Sequence, residues 1–296
     1  MPSRYGGILR QRRKAVRRNF CEQRKLTLAV FGTRYKPLNA YIYTHMIKRP
    51  FVLSGGGARG FAHIGVLKAF AEVGIYPEAI SATSAGAMVG ALIACGYTAD
   101  EVHAMAADGR FFKLFSKTAF TNFRLSNAPM AEFLQHHLRY TNFEQLPIPF
   151  FVAATNLING QQSIFNTGPI IPAVLAACAV PFVFDDVYIN NIPHADGGMS
   201  SNLPVEPLLE HYTNIIGVYV NPLPDFNEKA GLGESIDRMM HLLLRENVLR
   251  SIAKCTLLIE PPNLKHYRMF EEKKKEQIIT EGYNYTRSIL QANAAK

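Results

Sequence analysis

Ser84 stands in the run Ile80-Ser81-Ala82-Thr83-Ser84-Ala85-Gly86-Ala87, where an apolar strand-like stretch passes into a helix-like one through small residues. A serine at such a junction can be held on a tight turn with its hydroxyl exposed, and the helix N-terminus behind it favours developing negative charge. The local pattern is A-x-S-x-G, with Ala82 and Gly86 on either side of the serine. Upstream, Phe51-Val52-Leu53 leads through Ser54 into a glycine-rich loop, Gly55-Gly56-Gly57-Ala58-Arg59-Gly60, and a helix-like segment leaves it. Consecutive glycines let main-chain N–H groups approach a bound anion without side chains in the way. Two chemistries suit such a loop: cradling the pyrophosphate of a dinucleotide, since Gly55, Gly57 and Gly60 satisfy G-x-G-x-x-G, or stabilising the oxyanion of an acyl-transfer intermediate.

The dinucleotide use predicts an acidic residue about twenty positions on, at the end of the second strand, to hold a ribose hydroxyl. Ala82, Thr83 and Ser84 stand at that strand end. Glu78 lies near the right distance but is read as preceding the strand, so the oxyanion hole is the preferred use. A third segment, His194-Ala195-Asp196-Gly197-Gly198-Met199-Ser200-Ser201-Asn202-Leu203-Pro204, places an aspartate before two glycines. Taken alone, Asp-Gly-Gly is most often a turn.

Together, Gly-Gly-Gly-x-Arg-Gly, a small-x-Ser-x-Gly elbow about twenty-five residues later, and Asp-Gly-Gly followed by Asn-x-Pro resemble the patatin-like phospholipases, from about Arg49 to about Leu209. The resemblance implies a three-layer α/β fold and a serine acyl hydrolase acting on lipid or other carboxylic esters. It implies Ser84 as nucleophile, Asp196 as its side-chain base, and the loop from Gly55 to Gly60, with Arg59, as the oxyanion-stabilising element. Ala82 stands where most members have glycine. Its single extra methyl is expected to narrow the tolerance of the turn without abolishing function. The alternatives are a nucleotide-binding α/β protein using the glycine loop and a lipid-binding member with weak catalysis.

A Ser-Asp dyad needs help, because aspartate ordinarily has a pKa of about 3.9 and is a weak base. Desolvation of the carboxylate and a preorganised oxyanion hole can supply that help. His194, two residues from Asp196, is the histidine that could instead complete a triad, while His63 is read as a packing residue. The remaining histidines show no spacing to cysteine or carboxylate that suggests a metal site, and no cofactor is implied. Asp185 and Asp186 are assigned to a solvated turn.

The 296 residues are 48% hydrophobic, enough for one substantial core. Residues 1–50 hold thirteen Lys or Arg against one acid, Glu22, while the remainder holds nineteen basic and twenty-two acidic residues. The net charge of +9 therefore belongs to the N-terminal stretch. Residues 1–48 are accordingly read as a basic extension, disordered or not native to the functional protein. A lipid surface suits such an arm better than nucleic acid, and transient membrane-surface contact follows as an expectation. Residues 49–210 form the catalytic core in this reading, and 211–296 complete the same domain. The expected location is the cytoplasm, peripheral to a membrane at most. Leu26–Gly32 is too short for a secretory segment, and the apolar run 170–184 is broken by Pro172 and Pro181. Cys21, Cys95, Cys178 and Cys255 are far apart and read as reduced.

Alternating strand and helix signals imply a largely parallel sheet covered by helices on both faces, with ligand sites at the carboxyl ends of strands. The aromatic segment 109–123 is read either as a core loop or as an apolar lip. The protein expressed from Met46 is expected to fold and keep its turnover. Loss of a cooperative melt or of ester hydrolysis in that truncated chain would show that the basic arm contributes.

Overall fold

The computed structural model describes residues 46–107, 120–121, 124–226, 228, 231–269 and 271–294. The basic arm with Cys21, and most of the aromatic segment 109–123, lie outside them. The first strand, β1 (Ile47–Leu53), pairs in parallel with β2 (Ile75–Ala82) through a connecting 3-10 turn (Gly57–Phe61) and helix α1 (Ala62–Glu72). Ile47 and Lys48 are thus already in the sheet, opposite Ile75 and Tyr76. Helix α2 (Ser84–Ala94) leaves β2, followed by α3 (Ala99–Ala107), where Thr98 and Glu101 cap the start reciprocally. A two-stranded ribbon, β3 (Phe120–Thr121) and β4 (Arg124–Leu125), and α4 (Ala128–His137) come next.

The chain then returns to the sheet with β5 (Phe150–Asn156), β6 (Gln162–Phe165), α5 (Ile170–Cys178), β7 (Val187–Ile189) and β8 (Ile192–Asp196). Short helices α6 (Gly198–Ser201) and α7 (Glu206–Leu209) lead to β9 (Ile216–Val218), long helix α8 (Leu232–Ile252), β10 (Leu257–Ile259) and terminal helix α9 (Lys275–Ala294). The sheet order is β10-β9-β1-β2-β5-β8-β7, with β6 also on β5. The first five strands of that order are parallel, as the crossover helices require, while β6 and β8 run antiparallel to β5, and β7 runs antiparallel to β8.

Alternation along the strands divides the interior into two cores. Phe51 and Leu53 of β1, with Ile80 and Ala82 of β2, face a large core built with α1, α2 and α5. Val52 and Ala79 face a smaller one with Leu203, Leu208, Tyr219 and Val248 of α8. Helices on both faces make this a three-layer α/β fold. The register between β1 and β2 shifts after Arg49, because Arg49 pairs with Pro77 and Pro50 with Ala79. Glu78 is the skipped residue, so it lies inside β2, at an irregularity, and does not precede the strand as the sequence suggested. The carboxyl end of β2 remains Ala82.

Asp186 departs from the expectation of a solvated turn: it is partly buried and forms an ion pair with Arg124 at 3.2 Å. Cys95 and Cys178 are buried free thiols, and Cys255 is half-buried and free. No helix among the described residues is long and apolar enough to cross a membrane.

Helix α9 lies against α1 through two glycines. A side chain at Gly65 would collide with the Ile279 carbonyl oxygen, and one at Gly282 with that of Ala62. Gly65→Ala or Gly282→Ala is therefore expected to separate these helices and destabilise the protein by about 1–3 kcal/mol. The expected readout is a lower thermal midpoint, by about 2–4 °C per kcal/mol for a domain of this size.

Candidate active site

Three strand ends converge. Ala82 pairs with Val152, so Ser84, two residues further, is level with Ala154 of β5, and Ala154 pairs with Asp196 of β8. The side chain of Thr83 donates to the Ala153 carbonyl at 2.9 Å and ties the turn to the same level. The antiparallel direction of β8 makes its last residue, Asp196, meet the serine from across β5.

The turn at Ser84 is sharp. Thr83 is extended, and Ser84 has φ +50°, a left-handed conformation that costs a serine about 1–3 kcal/mol. Close packing holds it there. Gly86 would place a Cβ 2.5 Å from both the Leu53 and Ser54 carbonyl oxygens, so the first turn of α2 abuts the end of β1. A Cβ on Gly60 would collide with that of Ala85. The Cys178 thiol donates to the Ser84 carbonyl at 3.2 Å, and burial pushes that thiol's pKa well up. Ala82 is fully buried within β2, its methyl part of the larger core.

Asp196 is 7% exposed. Its Oδ1 accepts from the Gly198 amide at 2.8 Å, while Oδ2 is buried with no well-formed hydrogen bond. Burial pushes the carboxyl pKa up to about 6, with the Ser84 hydroxyl and the Gly198 amide pulling the other way. The serine is thus close enough to act on the carboxylate but is not locked to it. Gly197 is required because a Cβ there would meet the Ala153 carbonyl and the Thr83 hydroxyl, and one on Gly198 would lie 2.9 Å from both Asp196 Oδ1 and Asn202 Oδ1.

On the opposite side, a Cβ on Gly55 would sit 2.9 Å from that of Ser84. Gly57 has φ +55° and lies against the Met269 carbonyl, which accepts the Ala58 amide at 2.7 Å. Among the described residues, the N–H groups of Gly55, Gly56 and Gly57 meet no protein acceptor. Arg59, 1% exposed, anchors the loop from behind. Its Nε donates to the Tyr267 carbonyl at 2.7 Å, and its Nη1 lies 2.6 Å from His241 Nε2 and 3.4 Å from Asn221 Oδ1. Because arginine only donates, His241 accepts through Nε2 and is neutral there.

His194 is buried, but it bonds to the Ile192 carbonyl at 2.9 Å and the Ser163 hydroxyl at 3.2 Å, with its ring on the edge of Phe165. Burial lowers its pKa, partly offset by the Ile192 bond. No hydrogen bond joins it to Asp196. His63 is fully buried, 2.8 Å from the Ser54 carbonyl, and burial lowers its pKa to about 4. Among the described residues no cluster of His, Cys, Asp and Glu could hold a metal.

Ser84, Asp196 and the glycine loop line one cavity of about 1290 Å³. That exceeds the ~300–1,000 Å³ of an ordinary small-molecule site. Much of its wall is apolar, with Met88, Leu92, Met130, Phe133 and Phe184 contributing. Phe182, at 86% exposure and φ +66°, stands at its rim with exposed Leu243.

Sequence reasoning singled out the residues in motifs and missed those that hold them. Ser54, Asn221, His241, Tyr267 and Cys178 belong to no motif. Asn221 carried one usable signal, an Asn-Pro directly after the apolar strand-like run 215–220, since strand carboxyl ends gather sites in α/β sheets.

A buried carboxyl with a raised pKa is costly when ionised. With a folded value of about 6 against about 3.9 in the unfolded chain, Asp196 favours folding most below pH 4, and this contribution is lost as pH rises through 6. Asp196→Asn is expected to stabilise the protein at pH 8 by up to about 3 kcal/mol, and the gain should vanish near pH 4. Thermal melts of both proteins at the two pH values check this.

The family profile for patatin-like phospholipases matches residues 51–209, more than half of the chain. An uncharacterized NTE family protein of Mycobacterium bovis is 33% identical over 158 residues, which cover 53% of this chain and 44% of that protein. A lysophospholipase NTE1 of Cryptococcus neoformans is 30% identical over 198 residues, 62% of this chain but 12% of the fungal protein. The matched segment is thus less than half the length of either relative. Among solved structures, VipD from Legionella pneumophila superposes with a TM-score of 0.54 at 15% identity, covering 82% of this chain and 67% of that one, a likeness of fold. With its glycine loop, serine elbow and Asp-Gly-Gly brought into one cavity, the chain belongs to the patatin-like phospholipase family.

Proposed function

We propose that this protein is a serine acyl hydrolase that cleaves carboxylic esters of lipids through a Ser84–Asp196 dyad, without a metal or organic cofactor. The observation that carries this reading is the unpaired Oδ2 of a buried Asp196 beside the hydroxyl of Ser84. In this reaction Asp196 Oδ2 takes the Ser84 proton as Oγ attacks the ester carbonyl carbon. The N–H groups of Gly55, Gly56 and Gly57 receive the oxyanion. Collapse of the tetrahedral intermediate breaks the ester C–O bond, and the leaving alkoxide takes the proton from Asp196. A water then attacks the acyl-enzyme, giving its proton to Asp196. The second collapse returns that proton to Ser84 Oγ and releases the carboxylic acid.

Each element answers a weakness of the dyad. Desolvation raises the aspartate's pKa to about 6, nearer the operating pH of a general base. The amides are in place before charge develops, so no reorganisation is needed at the moment of reaction. The apolar wall supports an acyl chain as the buried part of the substrate, and the lysophospholipase name of the fungal relative agrees with a lipid ester. The exposed rim around Phe182 supports transient contact with a lipid surface during substrate transfer.

Ser84→Ala and Asp196→Asn are each expected to lower kcat on a medium-chain p-nitrophenyl ester by at least about 10³-fold, and His194→Ala to change it little. Fluorophosphonate labelling should disappear with Ser84→Ala. Folded wild-type protein that neither labels nor turns over would instead indicate a lipid-binding member. The kcat/KM of the wild type should rise with pH along a limb centred near pH 6, as Asp196 ionises.

A further inference from the structure

The Gly55 carbonyl oxygen is held from two sides. Asn221 Nδ2 donates to it at 2.6 Å, and the Ser54 hydroxyl donates to it at 3.0 Å. Ser54 Oγ in turn accepts the Val220 amide at 3.1 Å, which fixes the direction of its own proton. All of these groups are buried, Ser54 at 0% and Asn221 at 2% exposure. Oxygens with two donors at such distances do not rotate freely, because turning the peptide would leave buried donors unsatisfied.

The carbonyl of Gly55 and the N–H of Gly56 belong to one planar trans peptide and point in opposite directions. Securing the oxygen on Asn221 and Ser54 therefore turns the Gly56 N–H the other way, and Gly56 lines the cavity that contains Ser84. Glycine on both sides of this peptide offers little steric resistance to a flip, so the two hydrogen bonds must set its direction. Gly56 itself has no room for a side chain, since a Cβ would meet Val220 at 2.6 Å and Asn221 Oδ1 at 3.0 Å.

We infer that Asn221, together with Ser54, is a positioning residue for catalysis: by clamping the Gly55 carbonyl it keeps the Gly56 N–H aimed at the oxyanion. Asn221 touches neither Ser84 nor Asp196 by hydrogen bond; it acts through the Gly55–Gly56 peptide that it clamps, while its Oδ1 faces Arg59. The inference rests on the acyl-hydrolase reading above. It adds that the oxyanion hole is set by a side chain outside the segment that carries the three motifs.

Asn221→Asp tests this most directly. It keeps the shape of the side chain and the acceptor facing Arg59 but replaces the donor to Gly55 with a second acceptor. The full-length protein is assayed on the p-nitrophenyl ester beside wild type, Ser84→Ala, Asn221→Ala and Ser54→Ala. Inhibition by an alkyl trifluoromethyl ketone, which forms an anionic tetrahedral adduct with a serine, is measured in parallel. Asn221→Asp and Asn221→Ala should lower kcat about 10- to 100-fold with KM within about threefold, a part of the 10²–10³ that loss of an oxyanion donor costs. The ketone should weaken by the same factor as kcat/KM, because both depend on the oxyanion, whereas binding of an uncharged fatty alcohol of the same chain length should not change.

Values of kcat within threefold of wild type for both Asn221 variants would overturn the inference while leaving the dyad intact. A fall in kcat that tracks a loss of folded protein, with no selective loss of ketone inhibition, would also overturn it by assigning Asn221 a purely structural role. Turnover that persists in Ser84→Ala would overturn the acyl-hydrolase reading itself, and the positioning role with it.

Discussion

The strand register Ala82–Val152 and Ala154–Asp196 is the constraint on which the rest of the site depends. It brings a serine following the second strand and an aspartate ending the eighth to the same height on either side of β5. A slip of one residue in β8 would turn Asp196 to the opposite face and present Ala195 or Gly197 instead. The slip is resisted by alternation, since Ala195 and Asp196 face different surroundings, and by bonds that tie β8 to its neighbours. The Thr155 hydroxyl donates to the Asp196 carbonyl at 2.9 Å, and the Asp196 amide donates to Ala179 at 2.9 Å.

Around this register the site combines two unfavourable conditions, each compensated by its neighbours. Ser84 is held in a left-handed conformation, and a carboxyl group is buried with one oxygen unpaired. Neither would persist on a pliable support. The glycines at 60, 86 and 197 matter because they allow backbones to approach so closely that the turn has nowhere to relax. The proposed chemistry uses the same features: the strained turn presents the hydroxyl, and desolvation makes the aspartate a better base.

How far this was legible in the sequence depended on whether a residue's role is local. Gly86 and Gly197 sit in motifs because the contacts that demand them are fixed by the nearby chain path, and the strand and helix that flank Ser84 follow from local hydrophobic patterning. The covering of both sheet faces was foreseeable, and the unbroken apolar run Phe51-Val52-Leu53 agrees with it. The antiparallel direction of β8 was not, because a five-residue strand containing Pro193 carries little pattern. Glu78 was displaced by a register shift that no local signal announces. The roles of Asn221 and His241 were hidden for a different reason: each acts through a contact distant in sequence, 166 residues between Asn221 and Gly55 and 182 between His241 and Arg59, and the Asn-Pro at 221 marks no more than a strand end.

The segment that matches the family ends at residue 209, yet it is not the unit that folds. Beyond that point come β9, which pairs with β1, and helix α9, whose backbone fits the glycine of α1. The same region supplies Asn221, His241 and Tyr267, the contacts behind the glycine loop. Recognition and architecture therefore divide this chain differently. The part beyond the matched segment serves as the mould in which the recognisable part is cast, so substitution there can retune an unchanged set of motifs without altering one of their letters.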